Sequence, residues 1–164
     1  MHRFVIYFLI TLGMSLMTNN LSANSDLPTQ YPLKEVLISI LHQTSRGIPG
    51  GYQITISGDG SSSYSLNGEA QQALSVDKKI LMELVNSFYQ IHFFELVDTY
   101  SVKKQVVLKD GATVATVAKK MVDISSKRLC IQLADFEKCV TIIDEQPAEA
   151  AQLAKKIEAL FVKS

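Results

Sequence analysis

The chain has 164 residues, with 16 basic and 16 acidic side chains and no formal net charge. That balance argues against a nucleic-acid binder, which needs a basic face. With 47% hydrophobic and 20% charged residues, the composition also excludes a disordered chain.

Residues 1–23 read as a secretory signal peptide. His2 and Arg3 give a basic start, an apolar run is broken only by Thr11, Gly13 and Ser15, and Leu21-Ser22-Ala23 offers a small residue for cleavage. The run is short for a membrane span, so no stable span is expected once it is removed. No cysteine near this junction invites a lipid anchor. About 140 residues then remain, enough for one domain with its own core. Residues 24–32 contain Pro28 and Pro32 among polar residues and read as a flexible lead-in to a single domain over 33–164.

Residues 33–41 are dense in Val, Ile and Leu. Leu33, Val36, Leu37 and Ile40 fit a helical stripe, but the β-branched content favours a strand from Val36. Residues 43–51 form a loop punctuated by Ser45, Gly47, Pro49, Gly50 and Gly51. The stretch 50–68, GGYQITISGDGSSSYSLNG, is a hairpin whose pattern selects its turn. A two-residue loop would set Ile54 against Ser65. A three-residue loop of Gly58, Asp59 and Gly60 sets Ile54 against Tyr64 and Tyr52 against Leu66, with Gly60 at the left-handed position. Asn67-Gly68 ends the second strand, and residues 69–74 are open to edge pairing.

Residues 75–90 are the clearest helix. Ser75 or Asp77 can cap it, and Ile80, Leu81, Leu84, Val85 and Phe88 form an apolar stripe. Ile91, Phe93, Phe94 and Leu96 close its end onto the core. In 97–123, Asp110-Gly111 between QVVLK and ATVATVA signals a hairpin, although 112–121 also tolerates a helix. A stretch this long can carry specificity.

Residues 127–143 form a second hairpin with Ala134-Asp135 at its tip. Its register sets Leu133 against Phe136 and Leu129 against Val140, with Lys138 the odd member of its face. The same register places Cys130 opposite Cys139 at a non-hydrogen-bonded pair, so a cross-strand disulfide is predicted. It sits among Arg128, Gln132, Glu137 and Thr141 and should lie near the surface. No C-x-x-C spacing supports a redox-active pair. Residues 147–162 close the chain as a helix, with proline in its first turn and Ala150, Leu153, Ala154, Ile157, Leu160 and Phe161 as its stripe. The fold expected is α+β, a mainly antiparallel sheet with two helices packed on one face.

Chemistry is sparse. Beyond the leader only His42 and His92 remain, and His92 reads as a packed or partly exposed helix-end residue. A Ser45, His42, Asp98 triad can be imagined, but no nucleophile elbow surrounds Ser45. Asp59 lacks the further acidic ligands of a calcium loop, and turn chemistry accounts for it. Neither a phosphate-cradling loop nor a dinucleotide fingerprint occurs, so no metal or other cofactor is expected.

The hairpin of residues 52–64, the Ile38-Ser39-Ile40 strand and the Phe93-Phe94-Glu95-Leu96 helix end resemble an uncharacterised family of exported bacterial domains. That family shares a Y-x-L-T-I-x-G-D-G hairpin and a phenylalanine-rich helix end. The resemblance spans 33–161 in outline and implies the fold, with no activity attached to particular residues. Relatives often carry two cysteines in the first loop, where this chain has Ser45 and Pro49. The expected function is an exported non-enzymatic binding or inhibitor-like module. Its contact loops would be 43–51 and 97–123, and its partner an envelope or extracellular protein. A small hydrolase using His42 and a structural envelope component are the alternatives.

Overall fold

The computed structural model describes residues 26–46, 48–121 and 124–162. The predicted signal peptide at 1–23 lies outside them, as does Asp123. A short 3-10 turn, Leu33–Glu35, leads into strand β1, Val36–Gln43. The helix-compatible start of this segment thus contributes one turn before the β-branched residues take over.

β1 is the spine of a six-stranded sheet. Strands β2 (Tyr52–Ser57), β3 (Ser61–Leu66) and β4 (Glu69–Ser75) extend it on one side, and β7 (Ser126–Leu133) and β8 (Phe136–Ile143) on the other. The order is β4-β3-β2-β1-β7-β8, and every pair in it is antiparallel. Helices α1 (Lys78–Gln90) and α2 (Ala148–Val162) share one core with one face of this sheet. Strands β5 (Val102–Lys109) and β6 (Thr113–Lys120) form a separate two-stranded sheet.

Strand parity selects the buried face. Ile38, Ile40, Ile54, Ile56, Leu129, Ile131, Leu133, Val140 and Ile142 occupy alternate positions along their strands and are all buried. From α1, Leu81, Leu84, Val85 and Phe88 pack onto them, and Phe88 meets Phe93 edge-on with ring centroids 4.8 Å apart. Ile80 departs from the predicted stripe and is 38% exposed. It precedes the i, i+3, i+4, i+7 set by one residue, which rotates it off the covered face. From α2, Ala150, Ala151, Leu153, Ala154, Ile157 and Phe161 are buried. Asp77, not Ser75, caps α1: its carboxylate accepts from the Lys79 amide at 2.7 Å, while Ser75 ends β4.

The Gly58-Asp59-Gly60 turn has the predicted register, Tyr52 opposite Leu66 and Ile54 opposite Tyr64. Its two glycines serve different constraints. Gly60 has φ +90°, and its carbonyl accepts from the Val76 amide at 2.7 Å. A Cβ on Gly58 would lie 1.7 Å from the Leu33 carbonyl oxygen, so backbone meets backbone here. Between them, the Asp59 carboxylate accepts from the Ser61 hydroxyl at 2.6 Å and the Ser61 amide at 2.9 Å. Those bonds hold its pKa below the usual carboxylate range.

Asn67 and Gly68 both adopt positive φ, +51° and +83°. They reverse the chain tightly, so residues 69–74 belong to an edge strand rather than an ambiguous tail. Residues 26–32 also differ from a plain lead-in. Leu27 and Tyr31 pack against the core, and the Tyr31 and Tyr89 hydroxyls are 3.3 Å apart.

The β7–β8 hairpin has the predicted two-residue tip, and Cys130 and Cys139 are disulfide-bonded with Cα atoms 4.1 Å apart. The bridge is more covered than its polar neighbours suggest, with Cys130 only 8% exposed. It lies on the sheet face away from the helices, in one row with Ser39, Thr55 and Ser63.

Two stability measurements follow from these contacts. Gly58→Ala should lower unfolding free energy in urea by about 3 kcal/mol, because the Leu33 carbonyl cannot yield cheaply. Replacing both cysteines by serine should cost about 2–3 kcal/mol in the same assay, the entropy of closing so short a loop.

Candidate functional site

One end of the sheet gathers most of the irregular chain. Antiparallel pairing brings the end of β1, the start of β2, the start of β7 and the end of β8 together there. The loop 44–51 follows β1, and the Asn67-Gly68 turn lies beside it. The two are tied by the Gly50 amide donating to Asn67 Oδ1 at 2.9 Å and the Asn67 amide donating to the Gly51 carbonyl at 2.7 Å. The Thr44 hydroxyl donates to the Ile48 carbonyl across the loop. An open groove of about 680 Å³ runs here, lined among others by His42, Ser45, Arg46, Tyr52, Asn67 and Ser126.

Beneath the groove the core face ends in a polar cluster. His42, Tyr52 and Lys127 continue the parity of Ile40, Ile54 and Leu129, and the register sets His42 between Tyr52 and Lys127. Their side chains therefore fall on the helix-covered side, at its rim. The Tyr52 hydroxyl donates to Glu158 Oε1 at 2.5 Å, and Lys127 Nζ lies 2.9 Å from the same oxygen. Burial, and then the Glu158 carboxylate, push the Tyr52 phenol well above its ordinary pKa, so it stays a neutral donor. The rings of His42, Tyr52, Tyr64 and Phe161 follow one another with centroids 4.7, 5.9 and 6.3 Å apart. His42 Nδ1 is buried with no hydrogen-bond partner among the protein groups.

The imagined triad is not assembled. Ser45 shares the groove with His42, but Asp98 lies elsewhere and accepts from Lys138 Nζ at 2.6 Å. His42 shares a row with Lys127 and Ile142, whereas Lys138 lies four residues back along β8. That is about 13 Å along the strand. Lys138, the odd member of its face, is explained by this ion pair at the sheet's edge. His92 is exposed, has φ +53°, and places Nδ1 3.3 Å from Glu95. Glu137 lies beside the two cysteine sulfurs, which are bonded to each other and so engaged.

Among the described residues of the segment 97–123 there is no helix. Asp98 and Thr99 run beside β8, where the Thr141 amide donates to the Asp98 carbonyl at 2.8 Å. The chain then leaves the body at a neck where the Met121 amide donates to the Ser101 carbonyl at 2.8 Å. Beyond the neck, β5 and β6 pair over their full length, from Val102 opposite Lys120 to Lys109 opposite Thr113. Asp110 and Gly111 turn the chain with φ +53° and +70°. Helix formation in 113–120 loses to this pairing, since Thr113, Val114, Thr116 and Val117 are β-branched and each gains a cross-strand neighbour.

The resulting arm is paired with itself and little else. Every side chain on it is exposed except Val107 and Ala115, which are half-buried. Lys103 sits directly opposite Lys119, and Lys103 Nζ reaches Asp144 at 3.1 Å where the arm joins the body. The sequence pointed to this segment by length and turn signal. It did not reveal the Tyr52–Glu158–Lys127 cluster, because Glu158 comes from α2 and no local pattern links it to β2. Strand parity alone could have placed His42, Tyr52 and Lys127 on one side.

No family model matches the chain, and no curated protein or solved structure shows significant similarity to it. Among the described residues no helix is long and apolar enough to cross a membrane.

Tyr52→Phe should lower unfolding free energy by about 1.5–3 kcal/mol, the range for a hydrogen bond to a charged partner. Chemical denaturation of the two proteins side by side checks this.

Proposed function

We propose that the protein is an exported, non-enzymatic binding module. Its contact surface is the free β5–β6 arm together with the loop 44–51 at the same end of the sheet. The observation that carries this reading is the arm itself. A lone two-stranded hairpin is marginal in water, yet this one projects from the body with Val102, Val106, Leu108 and Val114 exposed. Like charges stand opposite each other at its base. A partner that covers the arm would relieve both costs. Export is supported by the apolar leader and by the disulfide, which suits an oxidising compartment. The resemblance of residues 52–64 and 93–96 to exported bacterial domains points the same way.

Replacing 102–120 by two glycines should shift the melting temperature by less than about 3 °C, since only surface contacts are lost. A photo-crosslinker at Val106 in the producing cell should give adducts with a macromolecule, protein or lipid. The same probe at Met82, exposed on α1, should give none. Equal labelling from both positions would remove the reading.

A further inference from the structure

We infer that the arm is an interfacial hairpin that lies on an anionic lipid surface. Its Val106, Leu108 and Val114 side chains would enter the headgroup layer, and Lys104 and Lys120 would contact lipid phosphates. This rests on the arm being the contact surface, and it names the chemistry of the partner.

The register divides the arm into two faces. One carries Val102 and Lys120, Lys104 and Ala118, Val106 and Thr116, and Leu108 and Val114 as successive cross-strand pairs. The large exposed apolar groups concentrate there: Val102 is 52% exposed, Val106 68%, Leu108 65% and Val114 67%. The opposite face carries Lys103, Lys119, Gln105, Lys109 and Thr113, with the half-buried pair Val107 and Ala115 and with Val117 as its exposed apolar group. One face therefore holds most of the exposed hydrocarbon, with ammonium groups beside it, and the other exposes mainly polar groups. That is the pattern of an element lying in the plane of a membrane interface, with apolar side chains down and lysines snorkelling to the phosphates.

Charge decides among the occupants. Among the described residues, Lys104, Lys109, Lys119 and Lys120 make no ion pair within the chain. A second copy of the arm would add lysines to lysines. A nucleic acid would satisfy the ammonium groups but leave Val106, Leu108 and Val114 in water. An anionic bilayer supplies phosphate and hydrocarbon in adjacent layers. Two further features fix the depth. Both outer edges of the hairpin are unpaired, so its backbone must stay where water or headgroups can reach it. Lys109 and Asp110 at the turn oppose tip-first insertion. The hairpin accordingly lies flat and does not span.

The chain contains no tryptophan, so a single introduced indole reports locally, and membrane binding by the apolar leader does not imitate it. In the full chain, Leu108→Trp emission should shift to the blue on adding phosphatidylglycerol vesicles and stay unchanged with phosphatidylcholine vesicles. Gln105→Trp, on the other face, should stay unshifted with both. Adding Lys104→Gln and Lys120→Gln to Leu108→Trp should weaken partitioning about 30-fold, from the loss of two charges at an anionic surface. Val106→Trp serves as a second reporter should Leu108→Trp disturb the hairpin. A silent indole at both positions, an equal response to phosphatidylcholine, or an equal shift from Gln105→Trp overturns the inference. Silence on vesicles combined with protein adducts from the Val106 crosslinker leaves the binding module standing with an acidic protein as its partner. Silence combined with no adducts removes both.

Discussion

The molecule depends on burying one face of a six-stranded antiparallel sheet beneath two helical stripes. Ile38 and Ile40 on the central strand touch this core from the middle, and Phe88, Phe93, Leu84 and Ile157 close it from above. Each such side chain contributes about 1.5–3 kcal/mol on burial, and no other interaction here approaches their sum. The opposite face is consequently free of any need to be apolar. It carries Ser39, Thr55 and Ser63 in a row with the disulfide.

The two ends of that sheet are built differently. At one, backbone meets backbone: Gly58 abuts the Leu33 carbonyl and Gly60 receives the Val76 amide, which fixes how the chain enters β1 and how it leaves β4 for α1. At the other, the apolar face gives way to Tyr52, His42 and Lys127, and Glu158 satisfies two of them. A shared carboxylate at this rim lets the core stop without stranding a phenol in hydrocarbon. It also makes a firm base for the groove and the loop above. His42 Nδ1 is the one buried side-chain polar atom among the described residues left without a partner. Among the described residues no carboxylate is hydrogen-bonded to it.

The arm belongs to neither end's packing. It draws its order from its own ladder and turn, with its base pinned by Lys103 to Asp144 and by the Ser101–Met121 contact. Segments of this kind lie at the low-stability end of a structure, where binding surfaces are commonly placed. Its exposed valines, and the lysines that make no ion pair among the described residues, add little to the body's stability.

Local rules determined a large part of this protein. Alternation identified β2, β3, β7 and β8. Matching faces across each turn set the registers and so the Cys130–Cys139 bridge, because a one-residue slip would have turned every apolar side chain outward. Helical spacing located α1 and α2. The undecided segments were those in which short-range preferences conflict. Residues 69–74 lack an apolar face, and 112–121 mix alanine with β-branched residues, so only the neighbouring strand settles their state. The order of β1 between β2 and β7, the approach of Glu158 to Tyr52, the docking of Leu27 and Tyr31 and the isolation of the arm were decided by the tertiary structure alone. Each is a meeting of groups far apart in the chain, and contacts of that kind leave no periodic trace in the residues that make them.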